Sequence, residues 1–233
     1  ERFKDFLTNR FRFSIFDLSD TILEGFLKKF ETKKFDYING YTSSIVLFAK
    51  FLQLKNIVLK NICPTLKVCV VTSEMLFDED KILLEKQFGV PVVNEYGASE
   101  LDLIAFQYPD GEWKVNSETL FVEILDDKNN VLPYGAAGRI VITSLFNKAH
   151  PFIRYDIGDI GVLDEKSTPK KPILKQLIGR TNDIAILPSG KKSPGLTFYY
   201  VTKSIIEDDG NVKELVIKQT KIDTFDIEYV SQT

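Results

Sequence analysis

The segment between residues 67 and 93 constrains the fold more than any other part of this sequence. Residues 67–71 (KVCVV) form a short β-branched run, and residues 91–93 (PVV) form a second. Between them, residues 77–88 have the spacing of an amphipathic helix, with acidic residues in the first turn, where negative charge suits the helix dipole. A strand, a helix and a strand at this spacing predict a parallel sheet, so the expected fold class is α/β.

The regions on either side extend this prediction to three domains. Two further segments with helical spacing, 19–30 and 43–54, belong to an α/β lobe over residues 1–100. Alternating segments then predict a β-rich subdomain over residues 101–181 and the beginning of a small α+β C-terminal domain over residues 182–233. In these two regions we predict strands at 119–125, 138–145, around 162, 174–178, 212–219 and 225–230, and a helix near 198–207.

Composition excludes several classes of protein. The 233 residues carry a net charge of −3 without a basic stripe, so no nucleic-acid partner is expected. No apolar stretch is long enough to span a bilayer, and no signal peptide opens the sequence. Two cysteines do not imply a disulfide framework, which favours a cytoplasmic protein. No feature of the sequence indicates an oligomeric state.

Residues 94–100 (NEYGASE) directly follow a predicted strand. In open α/β sheets, ligands bind at the carboxyl ends of the strands. The segment offers an aromatic ring that can stack on a base, and carboxylates that can hold a magnesium ion bridging phosphates. A polar turn after a buried strand is the alternative interpretation.

Two later motifs also have the chemistry of a nucleotide site. Residues 154–159 (RYDIGD) contain carboxylates of the kind that bind ribose hydroxyls. Residues 179–183 (GRTND), followed by 190–192 (GKK), contain an arginine whose planar fork suits phosphate. The alternatives are a turn with solvated charges for the first motif and a structural ion pair for the second.

In this order, the three motifs closely resemble those of the adenylate-forming superfamily, which includes acyl-CoA synthetases and firefly-type luciferases. Residues 40–44 (GYTSS), 72–74 (TSE), 95–97 (EYG) and 151–155 (PFIRY) resemble the branch of phenylacetate–coenzyme A ligase and its capsule-polysaccharide-biosynthesis relatives. The resemblance extends over nearly the whole chain. It implies an acid–thiol ligase that activates a small carboxylic acid with ATP and Mg²⁺ and then forms a thioester, with coenzyme A as the expected cosubstrate.

In the α/β lobe, the resemblance implies contacts to the nucleotide. Tyr96 would pack against adenine, and Glu95 with the backbone of Ser73 and Glu74 would line the adenine pocket. Glu100 would be the magnesium ligand. The residues expected to bind the nucleotide in this lobe are Ser73, Glu74, Glu95, Tyr96, Gly97 and Ser99.

In the second half of the chain, the resemblance implies that Asp159 binds the ribose hydroxyls and that Arg180 contacts ribose or phosphate. Asn182 would be the hinge about which the C-terminal domain rotates between adenylation and thioester formation. Gly190 would lie on the loop that approaches the thiol cosubstrate. No residue is assigned a catalytic role.

The sequence also departs from the family pattern. Residues 42–44 (TSS) lack the glycines that the family's phosphate loop requires, and the family's adenylation lysine lies beyond residue 233. Many members of the branch have a cysteine pair before the Gly-Arg motif, whereas residues 168–174 (TPKKPIL) contain none, so zinc is not predicted. We therefore expect this chain to be an incomplete portion of the parent enzyme.

Two other functions stay open. The chain could belong to a nucleotide-binding module without turnover, or to an acyl-protein synthetase that transfers the acyl group through a cysteine, with Cys69 as the candidate. For the 233 residues alone, we expect weak binding of AMP or ATP and no adenylate formation. Measurable adenylate formation by the isolated chain would contradict this expectation.

Overall fold

The computed structural model describes residues 2–15, 17–108, 110–181, 184–190, 192–194, 198 and 212–231. The chain divides into two compact units, Glu1–Lys114 (unit 1) and Val115–Thr233 (unit 2). The domain boundaries expected near residues 100 and 181 stay a prediction.

Unit 1 combines a sheet with helices, as the α/β class requires. Its elements are α1 (Arg2–Leu7), α2 (Asp20–Thr32), β1 (Tyr37–Tyr41), α3 (Thr42–Leu54), α4 (Leu59–Ile62), β2 (Val68–Thr72), α5 (Asp78–Phe88), β3 (Val92–Ala98) and β4 (Asp102–Gln107). Strands β1, β2 and β3 are parallel neighbours, and β4 pairs antiparallel with β3. The parallel pairs need crossover connections, which α3 and α5 provide.

The core of unit 1 lies between the helices and one face of this sheet. Leu52 of α3 is fully buried in a cluster that includes Cys69 and Val71 of β2. Aromatic side chains fill much of the cluster, and the rings of Phe30 and Phe48 stack at 5.9 Å between centroids. Alternate residues of a strand point to opposite faces of the sheet, so Val70 and Thr72 of β2 face away from the helices.

Unit 2 begins with antiparallel strands that pair in sequence order, and β5 (Trp113–Val115) lies at the boundary between the units. The strands are β6 (Leu120–Leu125), β7 (Ala137–Ser144), β8 (Tyr155–Leu163) and β9 (Ile173–Arg180). Each pairs antiparallel with the next. This confirms the predicted β-rich subdomain.

The rest of unit 2 contains two hairpins. They are formed by β10 (Ile184–Ile186) with β11 (Lys192–Pro194), and by β12 (Val212–Lys221) with β13 (Thr224–Ser231). The Gln219 side chain joins them, because it accepts from the Ile186 N–H at 2.8 Å and donates to the Ile186 carbonyl at 2.6 Å. The helix predicted near 198–207 lies outside the described residues, apart from Phe198.

The largest difference from the sequence prediction is the length of β3. We expected a short strand at 91–93 followed by a loop, but β3 extends from Val92 to Ala98. Polar residues after Val93 resemble a loop in the sequence, yet their backbone groups pair with β2 through Glu95 and with β4 through Ala98. Strands β1 and β4 were not predicted.

Among the helices of the described residues, none combines the length and the apolar character needed to cross a membrane.

Leucines at two positions of α3 test whether this core is correctly placed. Leu52 is fully buried, whereas Leu54 on the same helix is 82% exposed. We expect Leu52→Ala to lower the free energy of unfolding by about 2–5 kcal/mol, because it leaves a cavity in the core. Leu54→Ala should change it by less than about 0.5 kcal/mol. Urea unfolding followed by circular dichroism measures both variants, and equal effects would contradict the placement of α3.

Candidate functional site

Strands β1 and β2 end at the same level of the sheet, beside the middle of β3. Tyr41 pairs with Thr72, and Thr72 pairs with Glu95, after which β3 continues in its pairing with β4. This is the edge at which open α/β sheets bind ligands. Ser73 directly follows Thr72, and Tyr96 directly follows Glu95. The structure therefore brings these two predicted residues to the same edge.

The segment after β2 is fixed to the beginning of α3. The Ser43 backbone N–H donates to Oε2 of Glu74 at 2.6 Å, and the Ser43 hydroxyl lies 3.0 Å from Oε1. The buried Thr42 hydroxyl donates to the Glu74 carbonyl at 3.2 Å. Ser73 itself has a φ of 68°, in the left-handed region. Sequence reasoning assigned only the backbone here and missed the Glu74 side-chain contact, because its partner lies far away in the chain.

The predicted segment 94–100 forms the end of β3 and the turn into β4. The turn is closed by the Leu101 N–H, which donates to the Ala98 carbonyl at 3.1 Å. Gly97 is required by this close pairing, because a Cβ at its position would lie 2.8 Å from the Asp102 carbonyl oxygen. Ser99 and Glu100 are consequently exposed at the turn, while the Tyr96 ring is half-buried.

Two residues predicted to share the adenine pocket face in different directions. Glu95 and Tyr96 are consecutive in β3, so their side chains lie on opposite faces of the sheet. Glu95 shares its face with Thr72, whose hydroxyl donates to the Glu95 carbonyl at 3.4 Å. Tyr96 lies on the face of the buried Ala105 of β4.

The turn after β3 exposes the carboxylate of Glu100. In the part of the chain that the structure describes, no group of three or more His, Cys, Asp or Glu side chains could enclose a metal ion. Magnesium is commonly bound by one or two carboxylates together with substrate phosphates, so an exposed carboxylate such as Glu100 fits that mode of binding.

In unit 2, the structure brings two of the predicted motifs together. Asp159 of β8 pairs directly with Arg180 of β9. Their closest charged atoms, Arg180 Nε and Asp159 Oδ1, are 3.8 Å apart. The Asp159 side chain is 19% exposed and that of Arg180 is 63% exposed. The motif at 154–159 thus lies mainly within a strand and not in a turn, as its alternative interpretation had it.

A set of hydrogen bonds fixes the part of β8 that carries Asp159. Gly158 has a φ of 78°, and its carbonyl accepts from the Thr181 N–H at 2.8 Å and from the Thr181 hydroxyl at 3.2 Å. Arg180 donates to the Ile157 carbonyl at 3.3 Å. A Cβ at position 158 would lie 3.3 Å from Arg180 Nη2, so glycine leaves room for the arginine.

The two aspartates of the motif have different surroundings. Asp156 forms an ion pair with Arg139, and its other oxygen accepts from the Gly158 N–H at 3.0 Å. Arg139 also donates to Asn129 Oδ1 at 2.6 Å and to the Asp126 carbonyl at 2.8 Å. Asp156 is therefore a structural carboxylate that braces the turn before β7 against β8.

Neighbouring charges in this region are also committed to structure. The pKa of Asp126 lies below its ordinary value because Asn130 donates to the carboxylate from its side chain and its backbone. The Arg154 guanidinium pairs with both oxygens of Glu123, at 3.2 and 3.4 Å. Asp159 and Arg180 lie opposite each other where β9 ends, and they form an ion pair at 3.8 Å.

The other predicted residues of unit 2 lie further along the chain. Asn182, the expected hinge, lies outside the described residues. Gly190 is in the turn between β10 and β11, where its N–H donates to the Leu187 carbonyl at 2.7 Å and its φ is 78°. Among the described residues other than its chain neighbours, none has an atom within 4 Å of the position that a Cβ would occupy.

Both cysteines are free thiols in the core of unit 1. Cys69 is fully buried, and burial raises the pKa of its thiol well above the ordinary value. Cys63 is 2% exposed, and its Sγ lies 3.5 Å from the Thr65 hydroxyl. The nucleophilic form of cysteine is the thiolate, so neither the position nor the ionisation of Cys69 suits an acyl acceptor.

Curated proteins of similar sequence include CapK of Staphylococcus aureus, which is 27% identical over 179 residues, covering 75% of this chain and 38% of CapK. The phenylacetate-coenzyme A ligase of Pseudomonas putida is 29% identical over 129 residues, covering 52% of this chain and 29% of that protein. The chain therefore spans less than half the length of these relatives. No family model matches the sequence.

Solved structures of similar fold include 2-hydroxyisobutyryl-CoA ligase in the postadenylation state, in complex with R3-HIB-AMP. It matches with a TM-score of 0.72 at 18% identity, over 94% of this chain and 48% of that chain. The amide bond synthetase McbA of Marinactinospora thermotolerans matches with a TM-score of 0.59 at 17% identity, over 84% of this chain and 40% of that chain. The chain is thus similar in sequence to CapK and to a phenylacetate-coenzyme A ligase, and it shares the fold of solved adenylate-forming ligases.

Proposed function

We propose that the protein containing this chain is an acid–thiol ligase that activates a small carboxylic acid with ATP. The observation that carries the proposal is the direct pairing of Asp159 with Arg180, in a chain whose sequence relatives include phenylacetate-CoA ligases. This pairing puts a ribose-type carboxylate and a phosphate-type guanidinium side by side. Since the chain spans 38% of CapK, the activity is proposed for the whole protein.

Unit 1 would hold the base and the metal ion. The half-buried ring of Tyr96 offers a flat surface for adenine, and the left-handed backbone of Ser73 leaves the neighbouring strand at the same edge. Gly97 permits the tight turn that exposes the Ser99 hydroxyl and the Glu100 carboxylate. Glu100 would hold a magnesium ion, which neutralises charge on the phosphate oxygens when bound.

Unit 2 would hold the sugar and the phosphate. A fixed carboxylate can accept from both ribose hydroxyls, and Asp159 is held by the bonds that Thr181 makes to Gly158. Arg180, mostly exposed, can reach ribose or phosphate. Asn182 would act as the hinge after this strand, and Gly190 would lie on the turn that meets the thiol.

The proposed reaction has two steps. A carboxylate oxygen of the acid attacks the α-phosphorus of ATP, the bond to the β-phosphate oxygen breaks, and pyrophosphate leaves. The thiolate of coenzyme A then attacks the acyl carbon, and AMP leaves. Positioning of the reactants and stabilisation of charge would account for most of the catalysis. We place the reaction in the cytoplasm, which holds ATP and coenzyme A and suits two free cysteines.

One observation favours a second function, a nucleotide-binding module without turnover. The N-terminus of α3 could in principle bind phosphate, but the carboxylate of Glu74 already accepts from the Ser43 N–H there. Residues 42–44 therefore do not serve as a phosphate loop. A ligase would need that loop elsewhere in the whole protein, and a pyrophosphate-release assay separates the two functions.

The cysteine route of acyl transfer can be tested by chemical labelling. We expect iodoacetamide to leave Cys69 unmodified between pH 7 and 9 in the native protein, because burial blocks access and raises the pKa of the thiol. Peptide mapping by mass spectrometry, with a urea-unfolded sample as the reactive control, measures the modification. Rapid native labelling, or an acyl label that disappears in Cys69→Ser, would contradict this prediction.

Adenylation is tested by pyrophosphate release from the whole protein with ATP, Mg²⁺ and a panel of aryl and fatty acids. We expect Glu100→Gln to lower kcat by about 100-fold, because the magnesium ion that neutralises charge on the phosphates would lose its carboxylate ligand. Asp159→Asn should raise KM for ATP by about 10-fold or more, because hydrogen bonds to a charged group are lost. The exposed Glu118, in unit 2, provides the control variant Glu118→Gln. Wild-type kinetics in both site variants would remove these assignments.

A further inference from the structure

Ser73 has a backbone conformation that is unfavourable for a residue with a Cβ. Its φ of 68° places it in the left-handed region, directly after the last residue of β2. Such a conformation persists only where the surrounding structure enforces it, and it is enriched at functional sites. Ser73 is exposed, so packing around its own side chain does not provide that enforcement.

The contacts of Glu74, the next residue, enforce this backbone conformation instead. The two carboxylate oxygens of Glu74 take separate partners on Ser43, the backbone N–H at 2.6 Å and the hydroxyl at 3.0 Å. The carbonyl of Glu74 accepts from the Thr42 hydroxyl at 3.2 Å. The main chain and the side chain of Glu74 are therefore both attached to the first turn of α3.

Helix α3 is a rigid anchor for these contacts. It spans 13 residues, and Ala49 and Leu52 are fully buried in the core of unit 1. Thr42 is itself 3% exposed. The first turn of α3 contains no acidic residue, so Glu74 supplies the negative charge that the positive end of the helix dipole favours.

We propose that Glu74 is a positioning residue for nucleotide binding. Its carboxylate attaches the segment after β2 to α3 and so holds the Ser73 backbone in the left-handed conformation that lines the adenine site. The inference rests on the proposed function, because it takes the Ser73 backbone as part of that site. The Glu74 side chain sets the geometry of the site and does not contact the nucleotide.

The test is steady-state kinetics of adenylation by the whole protein with Glu74→Ala, Glu74→Gln and Ser43→Ala. We expect Glu74→Ala to raise KM for ATP by about 10-fold while KM for the acid and kcat stay within about twofold. Glu74→Gln keeps the shape and part of the hydrogen bonding, so its KM for ATP should be intermediate. Ser43→Ala removes the hydroxyl contact alone and should have a smaller effect.

A second substitution distinguishes positioning from simple stabilisation of α3. Glycine adopts a φ of 68° without the steric cost that a Cβ imposes. Ser73→Gly introduced into the Glu74→Ala protein should therefore recover about threefold of the lost ATP affinity, although it restores no contact to α3. Ser73→Gly alone provides the reference value of KM for ATP against which the double variant is compared.

The control is Glu85→Ala, which removes an exposed carboxylate from α5 of the same unit. A Glu74→Ala protein with a lower melting temperature but an unchanged KM for ATP would overturn the inference, because Glu74 would then only cap α3. Equal increases in KM for ATP and for the acid would overturn it as well. Absence of pyrophosphate release by the wild-type protein with every acid would instead refute the proposed function.

Discussion

The parallel register of β1, β2 and β3 is the constraint on which the candidate site of unit 1 depends. Tyr41, Thr72 and Glu95 form one row because Cys69 and Val71, in alternation with Thr72, are fully buried against the helices. A shift of the strand register by one residue would move the buried side chains to the opposite face of the sheet. It would expose apolar side chains whose burial is worth about 1.5–3 kcal/mol each for residues of the size of valine. Core packing therefore determines where the polar loops begin.

In unit 2, antiparallel pairing sets the positions of the candidate site residues. The ladder between β8 and β9 sets Asp159 opposite Arg180, although the two motifs are separated in the sequence by a strand and a turn. Charged neighbours such as Asp156 and Arg154 are engaged by Arg139 and Glu123. The structure thus separates carboxylates that brace the sheet from the one placed beside the exposed guanidinium.

Sequence reasoning predicted the elements whose apolar pattern is regular. Helices α2, α3 and α5 and strands β2, β6 and β7 lie within a few residues of their predicted positions. Strand β1 was missed because Asn39 and Gly40 resemble a turn, whereas their backbone pairs with Val70 and Val71. A five-residue strand interrupted by Asn39 and Gly40 shows no regular apolar period, and only its pairing with β2 reveals it.

Prediction of the site had the same limit. Residue types showed which side chains have the chemistry to bind a nucleotide, and the resemblance to a known family assigned their roles. The sequence could not show that Glu74 contacts Ser43, or that Glu95 and Tyr96 face opposite sides of the sheet. Both facts depend on pairing between segments that are distant in the chain, which local patterns do not encode.

The topology of the two units has a consequence for how the chain acquires its structure. In unit 1, Tyr37 pairs with Val68 across a complete helical crossover, while in unit 2 Leu125 pairs with Arg139 across a turn. Contacts between distant residues form slowly, because loop closure costs entropy before any pairing compensates for it. We therefore expect the strands β6 to β9 to assemble faster than the parallel strands. Synthesis on the ribosome delivers the slower unit first, so the order of emergence and the order of folding run in opposite directions.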